Sequence, residues 1–240
     1  RRVVVKAGTT LLTHGTDRLN LQVMATLVEQ IAQLRRADVE ALLVSSGAVA
    51  AGRHALGEPR AGRDVPFKQV LAAAGQSRLM HAYEQLFDWH QIPVAQALLS
   101  RKDMTDRLGY LNVRNTILSL LERRVIPVIN ENDVVAVEEL AGEFFGDNDN
   151  LSAMVANLID ADLLVMLGEV EGLFTADPHL HPDARLIPSV DGFASVEDIG
   201  GVPSGDKGRG GMATKLQAAR LATAAGADVV IASGLEPNVL

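Results

Sequence analysis

The chain contains no cysteine, so it has neither a disulfide framework nor a thiolate metal site, and this composition suits a reducing cytoplasm. Aromatic residues are only 4% of its 240 residues, and no apolar run approaches the roughly 20 residues that a membrane-spanning helix needs. The N-terminus lacks the charged, apolar and small-residue order of a secretory signal. We therefore expect a cytoplasmic protein that does not associate with membranes.

Basic residues are too few for a nucleic-acid-binding surface. The chain has 22 lysines and arginines against 30 aspartates and glutamates, a formal net charge of −8, whereas phosphate backbones are held mainly by an excess of basic residues. We expect no nucleic-acid partner, and an anionic small ligand would need a local basic pocket. Hydrophobic residues make up 48% of the sequence, enough for a large core. One large domain is the default expectation, with two small domains as the alternative.

Short apolar runs alternate with longer segments of helical periodicity. The candidate helix Leu21 to Arg36 carries Val23, Leu27, Ile31 and Leu34 at three- and four-residue steps, which places one apolar stripe on its surface. Strands that are apolar throughout and separated by helices favour a mostly parallel sheet covered on both faces. The candidate strands are Val3 to Val5, Ala41 to Val44, Ile92 to Leu99, Val125 to Ile129, Leu163 to Leu167 and Val229 to Ile231. The other candidate helices are Phe67 to His90, Leu111 to Arg124, Leu151 to Asp160 and Met212 to Ala225.

The region from 176 to 208 interrupts this alternation. Its prolines and glycines predict irregular structure, either a flap or a linker. The apolar residues that would pack it onto the core are Leu173-Phe174, Leu186-Ile187 and Val190.

Two small motifs follow the first two candidate strands, at the edge where α/β proteins bind ligands. Lys6 ends the first strand and Gly8 follows, so the backbone can approach a phosphate while the ammonium supplies a point charge. A solvated lysine at a strand end is the alternative. Ser46-Gly47-Ala48 follows the second strand, with Gly52 a turn later, and these small residues either bind a ligand or allow close helix packing.

Two polar clusters extend this pattern. Asn130-Glu131-Asn132-Asp133 directly follows a strand, and the cluster from Gly146 to Asn150 opens an apolar helical run. An asparagine-rich edge suits recognition of the ammonium and carboxylate of an amino acid. Asp147 or Asp149 could be a simple N-cap, but one cap needs one residue and the cluster supplies four polar side chains. We therefore favour a site that uses at least one of these carboxylates.

Glycines at 208, 210 and 211 precede the last candidate helix, and Lys215 lies one turn into it. This resembles a backbone phosphate cradle with a reaching ammonium, although an ordinary flexible glycine loop is the alternative. A Walker motif, a zinc-ligand spacing among the six histidines and a Gly-x-Ser-x-Gly elbow are all absent from the sequence. Together the motifs indicate a phosphoryl-transfer enzyme.

In this order and spacing, the motifs resemble the amino-acid-kinase domain of the glutamate 5-kinase family. The resemblance runs almost from end to end, which makes it far more specific than any single motif. The resembling segments are VVVKAGTT near the start, VSSGAVAAGR at 44–53, VLAAAGQSRL at 70–79, LLSRKDMTDRLGYLNVRNT at 98–116, VIPVINENDVVA at 125–136, GDNDNLSA at 146–153, EGLFTADP at 171–178 and GRGGMATKLQAA at 208–219.

The resemblance implies an α/β fold, an αβα sandwich around a mostly parallel sheet of about eight strands. It implies one amino-acid-kinase domain over residues 1–240, with a C-terminal end that is either truncated or complete. Many bacterial members add a C-terminal PUA domain like those of RNA-modification enzymes. None is visible within residues 1–240, so we expect it to be either trimmed or naturally absent.

The implied activity is transfer of the γ-phosphoryl group of ATP to the side-chain carboxylate of L-glutamate, giving L-glutamyl 5-phosphate in the first step of proline biosynthesis. Because that carboxylate is already ionised at neutral pH, catalysis would rest on positioning and on cancelling charge. Magnesium would bridge the phosphates with few direct protein ligands, none of which the motifs identify. Family members commonly form homodimers or homotetramers, and feedback inhibition by proline is part of what the resemblance brings.

Site residues follow from the resemblance position by position. Lys6 and Lys215 would neutralise the transferring phosphoryl group, and Asp149 would hold these two lysines in register. The residues implied to bind glutamate are Ser46, Gly47, Asn130, Asp133 and Asn148. The residues implied to bind ATP are Lys6, Gly8, Gly168, Glu169, Phe174, Arg209, Gly210, Gly211, Met212, Ala213, Thr214 and Lys215.

Two stretches depart from the family pattern. Gly168-Glu169 stands where members usually have Thr-Asp or Ser-Asp against the nucleotide, which puts nucleotide affinity and choice in question. Glu143-Phe144-Phe145 reads as a short apolar insertion in the loop that members use near glutamate and in feedback inhibition, which leaves the proline sensitivity of this chain open.

Two alternative functions stay open at this point. A related kinase acting on acetylglutamate, aspartate or UMP is disfavoured by the GQSRL and NEND segments. A non-catalytic amino-acid or nucleotide sensor on the same fold is disfavoured by Lys6, Asp149 and Lys215, although Gly168-Glu169 leaves it open.

Overall fold

The structure, a computed structural model, describes residues 1–57, 65–135, 148–178, 180–190 and 211–240, apart from the side chain of residue 101. Predictions that concern residues 143–147, 191–208, Arg209 and Gly210 lie outside these ranges. The elements are β1 (Arg2–Ala7), α1 (Thr9–Thr13), α2 (Leu21–Arg36), β2 (Glu40–Ser45), α3 (Ala48–Leu56), α4 (Val65–Asp88), β3 (Val94–Leu99), α5 (Arg101–Thr105), α6 (Arg107–Glu122), β4 (Ile126–Glu131), α7 (Asn148–Leu158), β5 (Leu163–Gly168), α8 (Met212–Ala224) and β6 (Asp228–Ser233).

The strands form one sheet in the order β3-β4-β2-β1-β5-β6, and every neighbouring pair is parallel. All six predicted strands are therefore confirmed, and so is the parallel sheet. The described residues hold six strands, against about eight expected from the resemblance. Because the strands run in one direction, their carboxyl ends meet at one edge, which we call the carboxyl edge. The opposite edge is the amino edge.

Helices cover both faces of the sheet, so the predicted αβα sandwich is confirmed. On one face Val3 and Val5 of β1 pack in a cluster with residues of α2 and α4. On the other face Val4 of β1 packs with residues of α6, α7 and α8. Side chains alternate between the faces of a strand, so Lys6 shares the face of Val4 and points toward the layer that contains α7 and α8.

The long helices match the sequence prediction closely. α2 has the predicted bounds, and the Asn20 side chain caps it by accepting from the backbone N–H groups of Gln22 and Val23. α4 begins two residues earlier than predicted, at Val65, and α7 three residues earlier, at Asn148. The short helices α1, α3 and α5 were not predicted, because five to nine residues give too few turns for a periodic signal. Among the described helices, none has the length and apolar character to cross a membrane.

The backbones of α3 and α4 touch at two glycines. A Cβ atom on Gly75 would lie 1.8 Å from the carbonyl oxygen of Ala48 and 2.3 Å from the backbone nitrogen of Gly52. A Cβ atom on Gly52 would meet the Leu71 carbonyl oxygen at 1.8 Å. The packing interpretation of Gly52 is therefore correct, and it brings α4 against the loop that carries Ser46.

The stretch after β5 is irregular, as predicted, in the part that the structure describes. Phe174 forms an isolated antiparallel bridge with Leu186, and the Ile187 N–H donates to the Leu173 carbonyl oxygen at 2.7 Å. Leu173 is buried. The predicted anchors Leu173-Phe174 and Leu186-Ile187 thus contact one another.

Candidate active site

A buried ion cluster lies at the carboxyl edge, where β1, α7 and α8 meet. Lys6 Nζ is 2.5 Å from Asp149 Oδ1, and Lys215 Nζ is 3.1 Å from Asp149 Oδ2. The Thr214 hydroxyl donates to the same Oδ2 at 2.9 Å. Only 4% of Lys6, 0% of Asp149 and 7% of Lys215 is exposed. The three side chains that the resemblance assigns to catalysis therefore come together in one contact.

The cluster has a positive excess. Burial alone would raise the pKa of Asp149, but the adjacent Lys6 and Lys215 ammoniums and the Thr214 hydroxyl bond outweigh it and hold the pKa below its usual 3.8. Among the described residues, one carboxylate between two ammoniums leaves one unit of positive charge. Since a buried net charge is costly unless it is paired, the cluster is suited to an anion.

Local structure places each member of the cluster. Lys6 faces this layer through strand alternation, and Asp149 and Lys215 lie in the first turns of α7 and α8. Asp149 is inside α7 rather than at its N-cap, and its carboxylate reaches the lysines. The N-cap alternative therefore does not apply to Asp149. A carboxylate near a helix N-terminus is also favoured by the helix dipole.

Two glycine-led helices begin at the same edge. Gly47 before α3 has φ of 104°, a left-handed conformation that favours glycine, and Gly211 precedes α8. Neither glycine can cap its helix through a side chain. Within the described ranges no side chain at the N-cap position satisfies the first N–H groups of α8, beside Lys215, and helix N-termini of this kind commonly bind phosphate.

A second cluster is made of amides and hydroxyls. The Asn148 amide nitrogen donates to Ser46 Oγ at 2.9 Å, to Asn130 Oδ1 at 3.0 Å and to the Ser45 carbonyl oxygen at 3.4 Å. Asn148 Oδ1 is buried and has no hydrogen-bond partner in the described structure. Since Asn148 adjoins Asp149 in α7, the amide cluster lies next to the ion cluster. The structure thus brings together Ser46, Asn130 and Asn148, which the family resemblance assigned to one ligand.

Two further predicted glycines flank the lysines. A Cβ atom on Gly8 would lie 3.5 Å from Lys6 Nζ, and one on Gly168 would lie 3.7 Å from Lys215 Cε. Gly8 has an ordinary φ of −77°, so backbone conformation does not require a glycine at this position. Both glycines keep the space beside the two ammoniums clear of side chains.

The other predicted residues lie further along the same edge. Asp133 is half-buried in the turn after β4, and Glu169 is exposed at the end of β5. Phe174 is half-buried in the bridge to Leu186. Met212 and Ala213 are half-buried in the first turn of α8.

Sequence reasoning missed two α4 residues that contact this site. Gln76 Oε1 accepts from the Asn130 amide at 2.8 Å, and the Tyr83 hydroxyl is 2.8 Å from Ser45 Oγ. Gly75 could have pointed to them, since a glycine inside a long predicted helix indicates that the helix packs closely against a neighbour at that point. Gln76 is the next residue, within the GQSRL segment.

Residues 1–233 match the family model described as Amino acid kinase family. The chain is 56% identical over 241 residues to the glutamate 5-kinase of Dehalococcoides mccartyi and 55% identical over 240 residues to that of Herpetosiphon aurantiacus. These matches take in 100% of this chain but 65% and 64% of the relatives, so it spans a little under two thirds of their length.

Among solved structures, the chain is similar to isopentenyl phosphate kinase, with a TM-score of 0.67 at 16% identity. That match covers 100% of this chain and 94% of the other, and at this identity it shows the shared fold alone. The fold, the carboxyl-edge site and the family match agree, and the chain belongs to the amino acid kinase family.

Proposed function

We propose that the protein transfers the γ-phosphoryl group of ATP to the side-chain carboxylate of L-glutamate, giving L-glutamyl 5-phosphate, as the first step of proline biosynthesis. The observation that carries this proposal is the buried Lys6–Asp149–Lys215 cluster with its positive excess, placed beside an amide cluster at the carboxyl edge. High identity to two glutamate 5-kinases supports the choice of acceptor.

In this reaction the two lysines neutralise negative charge on the transferring phosphoryl group. The Lys6 and Lys215 ammoniums contact the transferring phosphoryl group, whose equatorial oxygens carry the charge in the transition state. Asp149 holds both ammoniums at one place, and its lowered pKa makes it a poor base. No base is needed, because the glutamate side chain attacks as a carboxylate. Catalysis therefore rests on alignment and on charge already in position before the substrates arrive.

The amide cluster binds the amino-acid end of glutamate. Asn148 Oδ1, a buried acceptor without a partner among the described residues, accepts from the substrate ammonium. Ser46, Gly47 and Asn130 surround it, and Asp133 supplies a further carboxylate for the ammonium from the turn after β4. The adjacent ion cluster then faces the other end of the substrate.

ATP binds along the first turn of α8. The N–H groups of Met212, Ala213 and Thr214 point toward its phosphates after the Gly211 turn, while Gly8 and Gly168 leave room beside the lysines. Glu169 and Phe174 contact the nucleotide from the end of β5 and the following segment. Arg209 and Gly210, which the family resemblance also assigns to ATP, lie outside the described residues.

Magnesium would enter with ATP and would supply charge neutralisation at its phosphates. Both oxygens of Asp149 already face lysine ammoniums, so this carboxylate is a poor magnesium ligand. In the described ranges no group of three or more His, Asp or Glu side chains is placed to hold a metal ion. The proposal therefore names no protein ligand for magnesium.

The wider assignment follows the same proposal. Residues 1–240 act as one amino-acid-kinase domain, and copies associate as a homodimer or homotetramer. Proline is the feedback inhibitor that the family resemblance implies. An enzyme that consumes ATP and L-glutamate works in the cytoplasm, where both are supplied.

The test is ADP production by the full chain with ATP, magnesium and L-glutamate, with hydroxylamine added to trap the acyl phosphate. We expect a hydroxamate signal that depends on glutamate and on ATP. Acetylglutamate, aspartate and UMP in parallel reactions test the other acceptors. ADP release with one of these and none with glutamate would contradict the proposed acceptor, whereas ATP binding without ADP release for any acceptor would indicate a sensor.

A further inference from the structure

We propose that Gln76 of α4 is a positioning residue for the amino-acid pocket, because it fixes the Asn130 amide so that Asn148 presents its Oδ1 to the substrate ammonium. The inference rests on the proposed function for the identity of the substrate. It adds a residue from a helix to which the sequence assigned no binding role.

The Asn130 amide has one fixed polarity. Its nitrogen donates to Gln76 Oε1 at 2.8 Å, and its oxygen accepts from the Glu131 backbone N–H at 2.9 Å and from the Asn148 amide at 3.0 Å. Asn130 is 3% exposed, so water does not readily replace any of these partners. Its nitrogen therefore points toward α4 and its oxygen toward α7.

This polarity decides which end of the Asn148 amide meets a ligand. The Asn148 nitrogen is directed at Ser46 Oγ, Asn130 Oδ1 and the Ser45 carbonyl oxygen, which use up its two N–H groups. Its oxygen is left as the open acceptor. If Asn130 turned its nitrogen toward α7, two donors would face each other, and Asn148 would have to turn its oxygen away from the ligand.

Gln76 can hold this arrangement because α4 is itself tightly placed. Gly75, the preceding residue, lies against the backbone of Gly52 in α3. Tyr83 lies seven residues further, on the same helix face, and its buried hydroxyl contacts Ser45 Oγ at 2.8 Å. Helix α4 thus touches the amide cluster at two points on one face.

The test compares Gln76→Leu with Gln76→Glu in the full chain. Leucine removes the acceptor for the Asn130 amide, so we expect the KM for glutamate to rise about tenfold, the scale of one lost buried hydrogen bond. The KM for ATP and kcat should stay within about twofold, since neither the ion cluster nor α8 changes. Gln76→Glu keeps an acceptor oxygen for the Asn130 amide, so its KM for substrate glutamate should return close to the wild-type value.

Gln85→Leu is the matched control, because Gln85 is an exposed glutamine on the same helix. It should leave both KM values unchanged. Thermal unfolding of each variant separates a local effect from a loss of fold. If Gln76→Leu does not fold, Gln76→Met, which is unbranched and of similar length, takes its place.

Three results would overturn the inference. The first is a Gln76→Leu enzyme with the wild-type KM for glutamate. The second is an equal rise in both KM values, and the third is a Gln76→Glu enzyme no better than Gln76→Leu, which would indicate a packing role. A wild type without glutamate-dependent ADP release overturns the proposed function, and this inference with it. An active wild type with an unaffected Gln76→Leu variant overturns the inference alone.

Discussion

The two edges of the same parallel sheet use charge in opposite ways. At the amino edge, the paired side chains of Arg2 and Glu40 are 23% and 38% exposed, and those of Arg124 and Asp38 are 57% and 81% exposed. At the carboxyl edge, Lys6 and Asp149 are paired at 5% and 0% exposure. Exposed pairs are screened by water and contribute little stability, whereas buried ones are costly to desolvate.

Charge balance also differs between the edges. At the amino edge several arginines combine one carboxylate with a helix-end carbonyl. Arg114 pairs with Asp160 and donates to the Leu158 carbonyl oxygen, and Arg2 pairs with Glu40 and donates to the Ile159 carbonyl oxygen. Cations at helix C-termini complement the helix dipole. The carboxyl edge instead places two ammoniums around one carboxylate. The amino edge is therefore organised for stability, and the carboxyl edge for an incoming anion.

The largest contrast is expected in turnover. Lys215→Ala removes a charge that counts mainly in the transition state, so kcat for glutamate-dependent ADP release should fall by about 10²–10³-fold. Arg114→Ala, at the amino edge, should stay within about twofold. Circular dichroism of both variants checks that the fold is intact. A Lys215→Ala enzyme with wild-type kcat would contradict the role of Lys215.

The next largest contrast is expected in the free energy of unfolding lost when a carboxylate is removed at each edge. Asp149→Ala leaves two buried ammoniums facing each other, and we expect a loss of about 3–5 kcal/mol in the free energy of unfolding. Asp38→Ala breaks an exposed pair and should cost less than about 1 kcal/mol. Urea denaturation measures both. Equal losses would show that burial at the carboxyl edge has no special cost.

Helix α8 offers a smaller contrast within one element, because it carries a threonine near each edge. Thr214 donates to the Asp149 carboxylate, while Thr223 donates to the Ala219 carbonyl oxygen in its own helix. Replacement by valine should cost about 1.5–3 kcal/mol at Thr214, where a bond to a charged group is lost. At Thr223 we expect about 0.5 kcal/mol or less. Thermal unfolding of the two variants measures both losses. A loss at Thr214 no larger than the loss at Thr223 would show that the Asp149 contact contributes little to stability.

Acid should lower the stability of the fold modestly through Asp149 at the carboxyl edge. The folded-state pKa of Asp149 is lowered by Lys6 and Lys215 despite burial, so ionised Asp149 stabilises the fold above its unfolded pKa of about 3.9. This stability is lost as the pH falls through the lower folded-state pKa. Denaturation midpoints of wild type and Asp149→Asn should converge as the solution is acidified below about pH 4. A constant difference between the two would show that the pKa is not lowered.

The sequence predicted the sheet, and the motifs at its carboxyl edge, because both leave local patterns, whereas the contact of Asp149 with the two lysines was implied by the family resemblance. Apolar strands and periodic helices such as α2 are visible in short windows. Lys6, Asp149 and Lys215 each stand beside a glycine- or asparagine-rich motif, and the parallel order of strands brings such motifs to one edge.

The α4 contacts could not be predicted in the same way. Gln76 and Asn130 are 54 residues apart, and their hydrogen bond depends on the angle at which α4 crosses α3. At Gly52 and Gly75 the backbones of the two helices approach closely, and a sequence shows this contact only as two glycines. Whether Asp149 is an N-cap likewise depends on where α7 begins, and a sequence does not fix the first residue of a helix.

Strand β1 allows the most direct test of the central claim, because it carries a cation toward each edge, Arg2 and Lys6. The measurement is single-turnover transfer from radiolabelled ATP to L-glutamate by the full chain, for Lys6→Ala and for Arg2→Ala. We predict that Lys6→Ala slows transfer by at least about 100-fold and that Arg2→Ala stays within about threefold. Equal rates for the two variants would contradict the assignment of catalysis to the carboxyl-edge cluster.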